Sequence, residues 1–204
     1  MAHREGWPDL SGGEADFYAH IQRFNAKSRH IKVVLVNQFG FDPKTCGTAM
    51  PANMEFMDIR KASDVEFGLS TYEPFGIAQL EPLTFGGICV FSSVCGCAGF
   101  LRDVSQGQDI KNAIVADYTE AGFPEHRDIE DLLQINTQTR DYTETRVSHQ
   151  VAQDILARLP QNDADVEDLI RRGYALAKNM SWDVVTRHYL LATLQDAWQN
   201  VGIG

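Results

Sequence analysis

The spacing of apolar positions divides the chain into segments of two periods. Near the start, "SGGEADFYAHIQRFNAKS" opens on a Ser-Gly-Gly breaker and then places Phe17, Ile21 and Phe24 three to four residues apart. That spacing predicts an amphipathic helix. "HIKVVLVNQF" follows as a short apolar, β-branched run and predicts a buried parallel strand. "GFDPKTCGTAMPAN" is punctuated by Gly and Pro and reads as loop. "MEFMDIRKAS" predicts a short helix, "DVEFGLS" a strand, and "FGIAQLEPLTF" a helix stopped by Gly86 and Gly87. "ICVFSS" and "NAIVADY" predict two further strands, with "CGCAGF" between them as a Gly-rich turn. The stretch from Thr119 to about Thr143 reads mostly as loop, with a helix near "DIEDLLQI".

From Glu144 the helical period dominates. "ETRVSHQVAQDILARL" runs up to Pro160. "DADVEDLIRRGYALAKNM" begins on an Asp N-cap, with early acids that suit the helix dipole. "SWDVVTRHYLLATLQDAW" begins on Ser181 and puts Trp182, Val185, Tyr189 and Ala192 on one face. Strands alternating with helices predict an α/β fold: a doubly wound, Rossmann-like parallel sheet with helices on both faces and a helical C-terminal tail packed against it. We expect one domain over residues 1–204. Ligands of such sheets bind at the carboxyl ends of the strands, which selects the loops "NQFGFDP", "STYEPFG" and "SSVCGCAG".

Charge narrows the partners. The chain carries 18 Lys and Arg against 28 Asp and Glu, a formal net charge of −10. That balance argues against nucleic acid or an anionic membrane surface, both of which want clustered positive charge. No window holds the roughly 18 apolar residues a membrane span needs, and "MAHREGWPDLSGG" is no signal peptide. Cys46, Cys89, Cys95 and Cys97 lack a second pair at metal-like spacing, so no metal is expected, and reduced thiols place the protein in the cytoplasm. The six histidines form no H-E-x-x-H or similar cluster.

The segment "STYEPFGIAQLEPLTFGG" holds the most informative chemistry, because Glu73 and Glu81 interrupt an apolar run. If Phe75 to Phe85 is one helix, eight residues rise about 12 Å. The acid and base of a glycosidase stand roughly 5 to 9.5 Å apart. The pair is therefore poorly spaced for one bond and better suited to gripping two parts of an elongated ligand. Backbone N–H groups from about Phe75 to Ala78 would be free at the helix start, and Gly76 would admit a ligand close to the main chain. Pro74 presets the turn. Either glutamate could equally be a solvated helix residue.

"SDVEFGLSTYEPFGIAQLEPLTFGG", followed by "ICVFSS" and "CGCAGF", resembles the donor-binding half of glycogen- and starch-synthase-like retaining glycosyltransferases of GT-B architecture. The tail "IRRGYALAKNMSWDVVTRHYL" is similar to that family's closing helices. The stronger resemblance spans about Ser63 to Gly99. It implies a transferase domain that binds a nucleotide sugar, UDP- or ADP-glucose-like, and moves its hexose to an acceptor without a metal or other cofactor. It implies that Glu73, as the catalytic residue, contacts the sugar hydroxyls, with Tyr72 and Pro74 beside it. The backbone of Phe75, Gly76 and Ile77 would hold the sugar and diphosphate, Glu81 the ribose hydroxyls, and Gly96 part of a phosphate loop in which Cys97 replaces the second glycine. It also implies an N-terminal acceptor-binding domain, for which these 204 residues have no room, and an Arg/Lys diphosphate loop. Arg4 is the nearest match to the latter, and no lysine precedes Lys27. The alternative is a non-catalytic domain that keeps this fold as a nucleotide-sugar or protein interaction module.

Overall fold

A computed structural model describes residues 7–8, 10–36, 46, 50–70, 72–119 and 128–201. The loop "NQFGFDP" and Arg4 lie outside the described residues. The chain forms two compact units, Met1–Ala62 and Ser63–Gly204.

In the first unit, α1 (Gly12–Lys27) and α2 (Phe56–Lys61) are helices, as their periodicity predicts. The Glu14 carboxylate starts α1 by accepting from the Ser11 N–H at 2.7 Å and the Ser11 hydroxyl at 2.8 Å. These bonds hold the Glu14 carboxyl below its ordinary pKa. Tyr18 and Ile21 are buried, whereas Phe17 and Phe24 are exposed, so the buried stripe is narrower than the sequence spacing suggests. The strand expected in "HIKVVLVNQF" is absent over residues 31–36, and 37–39 lie outside the described residues. At Val33 a side chain bonds the main chain instead. The Asn25 amide donates to the Val33 carbonyl at 2.7 Å and accepts from the Val33 N–H at 2.8 Å, taking the place of a neighbouring strand.

The second unit is an α/β structure built on three parallel strands, β1 (Val65–Gly68), β2 (Ile88–Ser92) and β3 (Ala113–Ala116), in the order β1-β2-β3. Val65 pairs with Ile88 and Cys89 with Ala113, so every strand begins at the same end of the sheet. Successive side chains point to opposite faces of a strand. Cys89 and Phe91 accordingly join one buried cluster with Leu80, Leu83, Cys97 and Leu101. Ile88 and Val90 join a second, with Ile114, Ala116, Val147 and Val151. Both faces of this small sheet are thus covered, which explains why β2 reads as an unbroken apolar run.

On the first face lie α3 (Ile77–Leu80) with a 3₁₀ turn (Glu81–Phe85), α4 (Cys97–Ser105) and α7 (Asp163–Ala177). The single helix expected over "FGIAQLEPLTF" is therefore four α residues followed by a tighter turn. Pro82 sits at the start of that turn, where its missing N–H costs nothing. "CGCAGF" is also corrected from a turn, since α4 begins at Cys97. Asn112, fully buried at the entry to β3, donates to the Leu169 carbonyl at 3.0 Å and ties the sheet to α7.

α5 (Ile129–Leu133) matches the helix near "DIEDLLQI". α6 (Thr137–Arg158) covers the second face and starts seven residues before Glu144. The side chain of Asn136 accepts from the Thr139 N–H and caps it, a signal hidden in a polar stretch. At its other end, Arg158 donates to the carbonyls of Ile110 at 2.6 Å and Ala113 at 3.0 Å and pairs with Asp109. The cap of α7 is Asn162 rather than an Asp.

Ser181 caps the last helical segment as expected. That segment comprises α8 (Trp182–Val185), a π turn (Thr186–Leu190) and α9 (Leu191–Val201). The π turn breaks the face expected to join Trp182, Val185, Tyr189 and Ala192. Trp182, Tyr189, Leu191, Leu194 and Trp198 are all exposed, so this part of the tail does not pack on the sheet.

Candidate functional site

Beyond their paired residues, β1 and β2 continue side by side as loops. Glu73 and Cys95 form an isolated parallel bridge. The Gly96 N–H donates to the Glu73 carbonyl at 3.1 Å, and the Cys97 N–H to the Phe75 carbonyl at 2.6 Å. The Cys95 thiol also reaches that carbonyl, at 3.2 Å. Gly96 makes this zip possible: a Cβ there would stand 1.9 Å from the Pro74 oxygen. Gly76 adopts φ 87°, in the left-handed region, and a Cβ on it would meet the Cys95 sulfur at 2.4 Å. Both glycines thus have packing reasons, independent of any ligand.

The structure brings Tyr72, Glu73, Pro74, Phe75, Gly76 and Gly96 into one local assembly at the carboxyl end of the sheet. Glu73 is half-buried, while Tyr72 and Ile77 are well exposed. Phe75 packs edge-on against Phe100 of α4 with ring centroids 5.9 Å apart. The carbonyls of Glu73 and Phe75 are committed to the second loop, so any ligand would meet side chains and the exposed rim of this assembly. Glu81 begins the 3₁₀ turn, exposed, on the far side of α3. Gly76 caps a helix of only four residues, so its dipole is weak compared with the long helix envisaged from sequence.

Cys95 and Cys97 lie sulfur to sulfur at 3.2 Å and are buried. Burial, reinforced by the Cys95 contact, pushes the Cys97 thiol well above its ordinary pKa. These cysteines fill the core under the loops. Among the described residues no cluster of His, Cys, Asp and Glu could hold a metal ion, and no helix is long and apolar enough to cross a membrane.

A cleft of about 880 Å³ opens beside the same strand ends, lined by Ser70, Ser92 and Tyr118 on the sheet side and by the first three turns of α6 opposite. Neither Glu73 nor Glu81 lines it. Ser93 donates to Asp117 at 2.9 Å and fastens the loops after β2 and β3 to each other. Tyr118, held above the usual tyrosine pKa by burial and then by the Glu144 carboxylate, faces α6. The α6 wall was missed in the sequence because residues 137–143 read as loop.

No protein-family model matches this chain, and no curated protein matches it.

Proposed function

We propose that the chain is the donor-binding domain of a retaining glycosyltransferase, holding a nucleotide sugar whose hexose passes to an acceptor bound by a separate domain. One observation carries this reading. The segment after a parallel strand sets Glu73 and the rim of Tyr72, Phe75 and Ile77 at the carboxyl end of the sheet, on a backbone fixed by the second loop. Open parallel sheets bind ligands at that end. In this reading the three strands are half of a doubly wound Rossmann sheet. The Glu73 carboxylate accepts from the sugar hydroxyls and orients the anomeric carbon. Glu81 grips the ribose, and no metal or other cofactor takes part. Charge on the departing diphosphate would need cations supplied outside the assembly around Glu73.

Calorimetric titration with UDP-glucose and ADP-glucose tests the proposal. Binding that is lost in Glu73→Ala and weakened in Glu81→Ala is the expected result; a folded protein that binds neither sugar nucleotide refutes it.

The exposed apolar residues of α8 and α9, Trp182 and Trp198 above all, favour a second reading as a non-catalytic interaction domain. On that reading Glu73→Ala and Glu81→Ala leave partner binding intact, and Trp198→Ala abolishes it.

A further inference from the structure

The α6 wall of the 880 Å³ cleft changes chemistry without changing shape. One ridge of α6, in steps of four, runs Thr139, Thr143, Val147, Val151, Ile155. Its last three residues belong to the core over the sheet, whereas its two threonines line the cleft. Threonine and valine have nearly the same shape, so the ridge turns polar where it passes the strand ends and keeps its contour. Thr143 is only 5% exposed, a position where valine would otherwise be expected.

Three of the hydroxyls around the cleft spend their protons on the protein. Thr143 donates to the Thr139 carbonyl at 3.0 Å, Ser148 to the Thr145 carbonyl at 2.9 Å, and Thr119 to the Asp117 carboxylate at 2.6 Å. The hydroxyl lone pairs of Thr143 and Ser148 remain for a ligand, while Ser70 accepts from the Gln79 amide and Ser92 from the Val94 N–H, so each keeps a proton to donate. Asp141 and Glu144 add further acceptors and Arg140 adds donors, while Leu69, Val94 and Ile135 supply apolar patches. A phosphate would face the two carboxylates and the lone pairs of Thr143 and Ser148. An ammonium group would face Arg140. A polyhydroxy ring suits all of these at once, because each hydroxyl donates as well as accepts and the C–H faces need apolar cover. The volume falls within the ~300 to 1,000 Å³ typical of small-molecule sites.

We propose that this cleft binds a neutral cyclic polyol, a monosaccharide or cyclitol, at a site separate from Glu73 and Glu81. The inference rests on the cleft alone and stands whether or not the chain binds a nucleotide sugar.

The test is an amide NMR titration of the full ¹⁵N-labelled chain with glucose, galactose, mannose and myo-inositol, and with inorganic phosphate and putrescine as contrasting probes. We expect at least one polyol to give saturable shifts at Thr119, Thr143, Glu144 and Ser148. Thr143→Val and Glu144→Gln should each weaken that binding about tenfold or more. The thermal midpoint of Thr143→Val should be unchanged or raised, which a purely structural role for its hydroxyl does not predict together with lost binding. Saturation of the cleft by phosphate or putrescine instead, no saturable shift with any of the four polyols, or unchanged polyol affinity in both variants would overturn the proposal.

Discussion

Replacing Gly96 by alanine tests the zip between the two loops most directly. The new Cβ would lie 1.9 Å from the Pro74 oxygen, 2.8 Å from its carbonyl carbon and 3.0 Å from the Phe75 Cα. All three are main-chain atoms, so no side chain can swing aside. Restoring normal contact means parting the loops by roughly 1 Å, enough to forfeit the Gly96–Glu73 and Cys97–Phe75 hydrogen bonds. Two such bonds contribute about 1 to 3 kcal/mol net, and overpacking strain adds a further ~1 to 3 kcal/mol. Against this, Gly96 has φ −59°, ψ −26°, a conformation alanine adopts freely, and removing a glycine returns about 0.4 to 1 kcal/mol. The net expectation is a loss of about 1 to 6 kcal/mol. Gly99 is the matched control: it lies in the helix that Gly96 caps, with nothing within 4 Å of its Cβ position. Gly99→Ala should stabilise by about 0.5 to 1 kcal/mol. Urea unfolding followed by circular dichroism reads both. If Gly96→Ala unfolds at the same urea concentration as Gly99→Ala, the close approach of the loops is wrong.

Three further outcomes follow from the packing. Ellman's reagent should find none of the four buried thiols accessible in the native protein at pH 8 and all four after denaturation; one fast-reacting equivalent would contradict the burial of the cysteines. The raised pKa of Tyr118 favours its neutral form in the folded state, so its stabilising contribution is complete below the unfolded value of about 10 and is lost as pH rises through the folded value. Wild type should therefore lose stability above pH 10 more steeply than Tyr118→Phe in parallel urea titrations. Arg158→Leu removes a charged donor from the carbonyls of Ile110, which keeps its bond from the Ala113 N–H, and of Ala113, and should cost about 1 to 3 kcal/mol by the same unfolding assay, with Arg158→Lys recovering only part of it.

The three strands of the second unit were legible because β2 is apolar throughout and its neighbours carry the same β-branched bias. "HIKVVLV" carries that bias too, yet its residues 31–36 are not a strand. Composition reports a willingness to be extended, whereas a ladder needs a partner, and here the Asn25 amide takes up the bonds of Val33. The α6 start was lost for the converse reason: Thr137 to Thr143 has no apolar period, and what builds the helix there is the Asn136 cap. The sequence put Glu73 in the loop after the strand, where it lies, but set Glu81 inside a long helix, whereas it begins a 3₁₀ turn. It could not show that Gly96 and Gly76 answer to Pro74 and Cys95, because those contacts join residues about 20 apart.

The π turn at Thr186–Leu190 sets a direction rather than a length. The Leu191 N–H reaches back five residues to the Thr186 carbonyl, so this turn carries one residue more than an α turn. Deleting any one residue from it would shorten the tail by only about 1.5 Å but swing everything beyond by about 100°. Leu191, Leu194 and Trp198 would then keep their identities and face another quarter of the compass. The aim of the tail's apolar edge is written in the backbone period, where a comparison of side chains alone would never find it.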